Sequence, residues 1–277
     1  MIQKKRKTVI KYLLLLLGVL FIVLPIYITV ITPFKTPAEN AVSFYSFPKN
    51  FYVGNIMGVL TSGKYYRALL NTLFVTSFTL LGCVAIMPLM SYAISRSMQK
   101  SKAYTFLYYF LLIGIFIPFQ VKMMPLVILM SRIHMMNQIG LICLAIGSAT
   151  CESVFLYVGF LNAIPRDIEN AAEIDGASSF TIYRLVVMPL MVPIISTVMI
   201  KDGLWMWNDF MMPLIILNRT WKAWTLTLFQ YNFKTQFTTD YSMSFATFLM
   251  SMIPILVFYI VMQRKIISGL TSGALKD

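Results

Sequence analysis

Residues 12–31 read YLLLLLGVLFIVLPIYITVI and contain no charged side chain. At about 1.5 Å of rise per residue, a helix of this length spans a bilayer hydrocarbon core of about 30 Å. A cleaved signal peptide has a shorter apolar region, about 7–15 residues, that ends at a small-residue cleavage site. This run is longer and is followed by Thr32-Pro33-Phe34-Lys35, so it predicts a transmembrane helix that is retained.

The composition of the whole chain agrees with a membrane protein. Of its 277 residues, 58% are hydrophobic and 12% are charged, against about 25% charged in a typical soluble protein. We therefore predict an all-α fold, a polytopic transmembrane helical bundle of about six spans that forms one transmembrane domain over residues 1–277. The predicted spans are about 12–32, 68–94, 103–130, 138–162, 185–217 and 243–263.

Prolines mark places where the longer segments are expected to tilt or break. Pro118 and Pro125 interrupt the third segment, and Pro189 and Pro193 lie near the start of the fifth. Broken transmembrane helices are tolerated where neighbouring groups satisfy the freed backbone.

The basic residues predict the orientation. The run Lys4-Lys5-Arg6-Lys7 precedes the first span, and cytoplasmic loops carry an excess of Lys and Arg. With the N-terminus inside, further basic residues fall in short cytoplasmic stretches and at the C-terminal end, including Lys276. Both termini are therefore expected in the cytoplasm. The net charge of +13 then reflects these loops, so we expect lipid and not nucleic acid as a partner.

The chain lacks the residue sets of an enzyme. It has one histidine, His134, and three cysteines without metal-ligand spacing. His134 has no Ser or carboxylate obviously beside it, so we expect a surface histidine and neither a catalytic nor a metal site.

A polar loop, residues 163–184, separates the fourth and fifth predicted spans. Acidic residues follow Pro165, a pattern typical of a helix N-terminus. We predict a short helix at 166–175 that Gly176 ends in a left-handed conformation. Its face of small residues suits a protein partner, whereas membrane-surface helices carry large apolar anchors and basic side chains.

This loop resembles the EAA loop of ABC importer permeases. The matching residues are Asn170-Ala171-Ala172, Gly176 and Val186-x-Met188-Pro189, with Asn170 at the position of the family's first Glu. The resemblance implies a coupling helix that docks on a cytoplasmic ATPase. The residues implied in ATPase coupling are Glu169, Asn170, Ala171, Ala172, Asp175, Gly176 and Ala177.

Shorter motifs in order along the chain resemble the carbohydrate branch of that family. They are Asn71-Thr72, Ser91 to Arg96, Trp207-Asn208-Asp209-Phe210, Thr225-Leu226 and a tail from Gly269 to Lys276. The resemblance implies the type I ABC importer fold and the import of a sugar or oligosaccharide by alternating access, in a bacterial plasma (inner) membrane. The implied partners are a second related permease subunit, two cytoplasmic ATPase subunits and an extracellular or periplasmic sugar-binding protein.

No phosphate-binding Gly-x-x-x-x-Gly-Lys-Ser/Thr loop occurs in the sequence. No cofactor is therefore expected in this chain, and ATP and Mg are expected in the partner ATPase. The chain itself is expected to transport and not to catalyse.

Polar residues within the spans are candidates for the substrate path, because charge at membrane depth requires a partner or water. Glu152 could contact substrate hydroxyls or pair with a cation such as Lys122. Lys201 and Asp202 are adjacent, and we expect them to point apart and not to pair. The remaining path candidates are Trp205, Trp207, Asn208 and Asp209; an interfacial aromatic belt is the alternative for this group.

Two other functions remain open from the residues. An ATP-independent secondary transporter or channel subunit would be expected to carry an internal repeat or a filter sequence, and neither is evident. A structural or sensory membrane subunit is the second alternative. Amino-acid and metal permeases are less favoured within the ABC importer class.

Overall fold

The computed structural model describes residues 2–231, 233 and 240–274, and within these ranges it contains helices and no strand. Leu275 and Lys276 of the predicted tail motif lie outside the described residues. The α-helices are α1 (Ile2–Ile31), α2 (Pro37–Val42), α3 (Gly54–Leu60), α4 (Gly63–Ser97), α5 (Lys102–Ile115), α6 (Phe119–Arg132), α7 (Gln138–Ala163), α8 (Asp167–Ile174), α9 (Ser179–Ile182), α10 (Met188–Leu190), α11 (Val192–Asn208), α12 (Met211–Leu217), α13 (Leu226–Tyr231) and α14 (Tyr241–Ala274). Short 3₁₀ turns cover Thr32–Phe34 and Trp221–Ala223, and a π-helical turn covers Tyr183–Val187.

Among the residues that the structure describes, four stretches of helix are long and apolar enough to cross a membrane. They are Ile10–Phe34, Gly63–Ser97, Gln138–Ala163 and Tyr241–Val261. Two bent helix pairs raise the number of spans to six if each pair counts as one. The predicted fold class, an all-α membrane bundle of about six spans, is confirmed.

The first bent pair is α5 and α6, which meet at 107°. Pro118 immediately precedes α6, and a proline disfavours helix in the residue before it and has no N–H to donate. Pro125 lies inside α6 and does not mark the break. The predicted segment 103–130 therefore contains two helices.

The second bent pair lies in the predicted segment 185–217. The helical stretch Ser179–Leu190 meets α11 at 72°, and Pro193 stands in the first turn of α11. Helix α11 ends at Asn208 because Asp209 adopts an extended conformation, with φ −67° and ψ 128°. A separate short helix, α12, follows.

The described chain divides into two compact units. The first comprises Met1–Tyr66 and Phe229–Pro254. Two buried amides tie its irregular segments together. Asn55 Nδ2 donates to the carbonyls of Pro33 and Lys35, at 2.9 and 2.8 Å. Asn40 Nδ2 donates to Thr32 O and to the hydroxyl of Ser242, at 3.1 and 2.8 Å.

A buried lysine completes this network in the first unit. The Lys35 side chain is fully buried, and its ammonium donates to the carbonyls of Ser43 and Phe44, at 3.2 and 3.1 Å. Burial lowers the pKa of Lys35, and the nearby Glu39 carboxylate partly opposes that shift. The ammonium therefore fixes the chain that follows α2.

The second unit comprises Arg67–Leu228 and Ile255–Asp277. One buried apolar cluster joins α4, α7, α11 and α12 through Val75, Leu141, Met206 and Ile216. Another joins α4, α7 and the π-helical turn through Met87, Tyr157, Leu161 and Val187. Because lipid is as apolar as these side chains, close van der Waals packing holds the helices together, and α4 and α7 belong to both clusters.

Two of the short sequence motifs contact each other in the second unit. Asn71 Nδ2 donates to the carbonyls of Lys222 and Trp224, at 2.9 Å each. The Thr72 hydroxyl accepts from the Leu226 amide at 2.9 Å. The motif at the start of α4 therefore satisfies the backbone of the loop before α13.

We predict that Asn55→Ala destabilises the protein by about 2 kcal/mol, because two buried carbonyls lose their donor. Thermal unfolding of the purified protein in detergent, followed by loss of helical circular dichroism, measures the change. Asn50→Ala is the matched control, since Asn50 is exposed in the same segment. Equal melting temperatures for the two variants would contradict the prediction.

Candidate functional site

The polar loop between α7 and α11 contains α8. The residues at its two ends determine where this helix begins and where it stops. Asp167 and Glu169 occupy its first turn, where negative charge is favourable next to the exposed N–H groups. At its C-terminal end, the Ala177 amide donates to Ala172 O and the Gly176 amide donates to Glu173 O, at 3.0 Å each. This is a Schellman motif. Gly176 adopts φ 81°, the left-handed conformation that we predicted for it.

The inner face of α8 is anchored by Glu169. Arg96 Nε donates to Glu169 Oε1 at 2.8 Å, and a terminal guanidinium nitrogen of Arg96 approaches the same oxygen at 2.6 Å. The Tyr92 hydroxyl donates to Oε2 at 2.9 Å. Both charged side chains are nearly buried, at 14% and 11% exposure. Water therefore screens this pair weakly.

The same arginine also ties α8 to the end of α7. Arg96 Nη1 donates to Leu161 O at 3.0 Å, and the neighbouring Ser95 hydroxyl donates to Asn162 Oδ1 at 2.9 Å. Arg96 lies in the last turn of α4, where a cation is favourable near the free carbonyls. One polar network thus holds together the C-terminal end of α4, the C-terminal end of α7 and α8.

The outer face of α8 and its C-terminal turn are uncovered. Asn170, Ala171, Asp175 and Gly176 are exposed, and the apolar side chain of Ile174 is 87% exposed. An exposed large apolar side chain next to small residues is typical of a surface that contacts another protein. We call this set of five residues the outer face of α8.

The structure divides the seven predicted coupling residues into two groups. Four of them belong to the outer face, whereas Glu169 is buried and Ala172 and Ala177 pack against the cluster that contains Tyr157. Sequence reasoning placed all seven on one docking surface. It missed the anchoring role of Tyr92 and Arg96, although their spacing of four residues places them on one helix face.

Charged side chains from α7 and α11 meet within the spans. Lys201 Nζ donates to Glu152 Oε2 at 2.9 Å and lies 2.7 Å from Asp202 Oδ1. The Ser153 hydroxyl donates to Asp202 Oδ2 at 3.1 Å. We call these four residues the span cluster.

Two expectations about this cluster need correction. The cationic partner of Glu152 is Lys201 and not Lys122. The prediction that Lys201 and Asp202 do not pair is wrong. Adjacent residues leave a helix in different directions, but the four-carbon stem of lysine is long enough to bring its ammonium back to the neighbouring carboxylate.

The aromatic and amide candidates of α11 differ in exposure. Trp205 is 38% exposed and Asn208 is exposed, whereas Trp207 is buried. Asp209 has a structural position, because its Oδ1 accepts from the Met211 amide at 3.1 Å and its carbonyl accepts from the Thr227 hydroxyl at 2.8 Å. Trp207 therefore lies in the packed interior, and the contacts of Asp209 place it at the junction of α11 and α12.

Metal ligands are not grouped in the part of the chain that the structure describes. No three His, Cys, Asp or Glu side chains there are close enough to hold an ion. His134 lies exposed in the turn after α6, in a left-handed conformation with φ 56°.

Comparison with known proteins gives consistent results. Residues 53–270 match the model of a family described as the binding-protein-dependent transport system inner membrane component. A multiple sugar-binding transport system permease protein of Streptococcus mutans is 38% identical over 269 residues, covering 96% of both chains. A probable starch degradation products transport system permease protein of Thermoanaerobacterium thermosulfurigenes is 32% identical, covering 96% of this chain and 97% of that one.

A solved structure shows the same fold. It is a bacterial ABC transporter involved in the import of the acidic polysaccharide alginate. The match has a TM-score of 0.81 at 19% identity and covers 93% of this chain and 95% of the other.

We predict that Glu169→Gln releases α8 from α4, because removing one partner of a nearly buried ion pair costs about 3 kcal/mol or more. Amide hydrogen exchange over residues 167–174 should become on the order of a hundredfold faster, the rate change equivalent to that energy. Glu173→Gln is the matched control, since Glu173 lies one turn later in the same helix and is exposed. Equal exchange in the two variants would show that the ion pair does not hold α8.

Proposed function

The chain belongs to the family of binding-protein-dependent transport system inner membrane components, and we propose that it is the permease subunit of an ABC importer that takes up a sugar or oligosaccharide. It is a multi-pass membrane protein and a transport subunit, and the ATPase is a separate partner. The ATP-independent secondary transporter or channel that the sequence left open is not favoured by this membership.

One observation carries the proposed substrate class. The chain is 38% identical to a multiple sugar-binding transport system permease protein along 96% of both chains. Two further relatives with at least 30% identity are described as permeases for starch degradation products and for melibiose, raffinose and stachyose. A saccharide is therefore the substrate class we assign.

We place the contact with the ATPase on the outer face of α8. Its small residues let another backbone approach closely, and Ile174 offers an apolar side chain to bury. Docking there would move α8, and the Glu169–Arg96 ion pair would pass the displacement to α4 as a rigid-body movement. ATP and Mg would be bound by the ATPase subunits and by no residue of this chain.

The complex we propose contains a second related permease, two ATPase subunits and an extracellular or periplasmic sugar-binding protein. Six spans form a small bundle, and a paired permease would complete a path between the two chains. The N-terminal basic run supports a cytoplasmic N-terminus, and an even number of spans then brings the C-terminus to the same side.

Purification from the native membrane tests this assignment. The chain, tagged and extracted in mild detergent, should bring with it a related permease and an ATPase, identified by mass spectrometry. Proteoliposomes that contain the complex and its binding protein should accumulate a radiolabelled oligosaccharide only with ATP. Uptake without ATP, or accumulation of amino acids in place of sugars, would reject the proposal.

We predict that Gly176→Arg leaves the chain in the membrane but abolishes ATP-driven uptake. Arginine is strained at φ 81° and its bulk obstructs the outer face of α8. Gly176→Asn is the matched control, because asparagine tolerates the left-handed conformation better than other non-glycine residues. Uptake and ATP hydrolysis are measured in the same proteoliposomes, and normal sugar uptake by Gly176→Arg would remove this loop from the coupling path.

A further inference from the structure

The exposed face of α11 carries a polar and aromatic stripe at membrane depth. Thr197, Lys201, Trp205 and Asn208 recur at steps of four, four and three residues, which place them on one side of a helix. Thr197 and Asn208 are exposed, Trp205 is 38% exposed and the Lys201 side chain is 32% exposed. Residues of this kind do not face hydrocarbon, because a charge there costs several kcal/mol.

Helix α7 adds a carboxylate to this stripe. The Glu152 side chain is 54% exposed while its Oε2 accepts from Lys201. The ammonium is shared with the buried Asp202, so two carboxylates face one cation and one negative charge remains in excess. Gly159 lies exposed on the same face of α7, two turns after Glu152, with open space where a side chain would stand. The Glu152 carboxylate is itself half exposed, so a ligand can approach it.

Two of these side chains present acceptor oxygens. Glu152 has a second carboxylate oxygen, and Asn208 donates one amide N–H to Leu204 O at 2.8 Å, which leaves its amide oxygen available as an acceptor. Sugar hydroxyls can donate to both, and the Trp205 ring offers an apolar face to a pyranose. A sugar carboxylate has no proton to donate and meets the excess negative charge.

We infer that Glu152, held by Lys201, contacts the transported saccharide and selects uncharged saccharides over acidic ones. Lys201 is the positioning residue, since it fixes the carboxylate against Asp202. This inference rests on the proposed function for the identity of the ligand. Its charge selectivity follows from the span cluster alone.

The local charge can be measured by thiol labelling of Thr197→Cys in the intact complex in membrane vesicles. The native cysteines Cys83, Cys143 and Cys151 are replaced by serine. Cationic and anionic methanethiosulfonate reagents are then compared. We expect the cationic reagent to react about tenfold faster, since a confined negative site concentrates cations, and a neutral oligosaccharide to slow the labelling.

Two variants should change this rate ratio in opposite directions. Glu152→Gln removes the excess charge and should bring the ratio close to one, whereas Lys201→Gln adds a negative charge and should raise it further. Lys201→Arg should restore the original ratio. A packing role for either residue would not produce opposite changes. Glu152 is exposed, so its variant tests the inference even if Lys201→Gln does not fold.

Asp240→Asn is the charge-matched control. Asp240 accepts from the Met243 amide through Oδ1, and asparagine retains that acceptor, so the ratio should not change. No labelling of Thr197→Cys by either reagent, or equal rates for both, would overturn the inference.

ATP-driven uptake in the same vesicles separates the two proposals. If the parent complex takes up saccharide but Glu152→Gln does not alter the labelling ratio, only the role of Glu152 is rejected. Lack of saccharide uptake by the parent complex rejects the proposed function. In the transport assay, Glu152→Gln should lower the apparent affinity for a neutral oligosaccharide about tenfold, the loss of one charge-assisted hydrogen bond.

Discussion

The carboxylate of Glu169 lies almost wholly inside the chain, and its ion pair with Arg96 determines which side of α8 remains outside. A helix of eight residues is too short to be stable by itself in water. Its orientation therefore depends on tertiary contacts, and a nearly buried charge pair allows one orientation only, because any other leaves an unpaired charge in the interior. The exposure of Asn170, Ala171 and Asp175 follows from this pair.

The charged side chains within the spans also require partners, but the chain supplies them fully for Asp202 and only in part for Glu152. Asp202 is buried and satisfied by Lys201 and Ser153, so its charge is compensated inside the chain. Glu152 shares the same ammonium but remains half exposed, and its free oxygen must meet water, a ligand or another protein. A buried charge whose partners all belong to the chain has a structural role. A charge at membrane depth that keeps an unpaired oxygen indicates a binding site.

The sequence was sufficient for the features that depend on length, composition and backbone chemistry. The apolar segments predict about six spans because the bilayer sets the length of a helix, and Gly176 predicts a left-handed helix end because only residues without a bulky side chain adopt it easily. The burial of Trp207 and Glu169 could not be predicted, since it depends on which helices pack against them. The pairing of Lys201 with Asp202 was missed because residue spacing describes where a side chain starts and not where a long one ends.

Helix α7 connects the two proposed sites. Its C-terminal end receives Arg96 at Leu161 O, next to the ion pair that holds α8, and Glu152 lies nine residues earlier in the same helix. At about 1.5 Å of rise per residue, these points are about 14 Å apart on one rigid element. Tyr157, between them, is fully buried and packs against α4 and the π-helical turn, so α7 resists bending there. A displacement of α8 by the ATPase would therefore reach Glu152 as a movement of the whole helix, and a change in the position of Glu152 relative to Lys201 on α11 would alter the affinity of the path for its ligand.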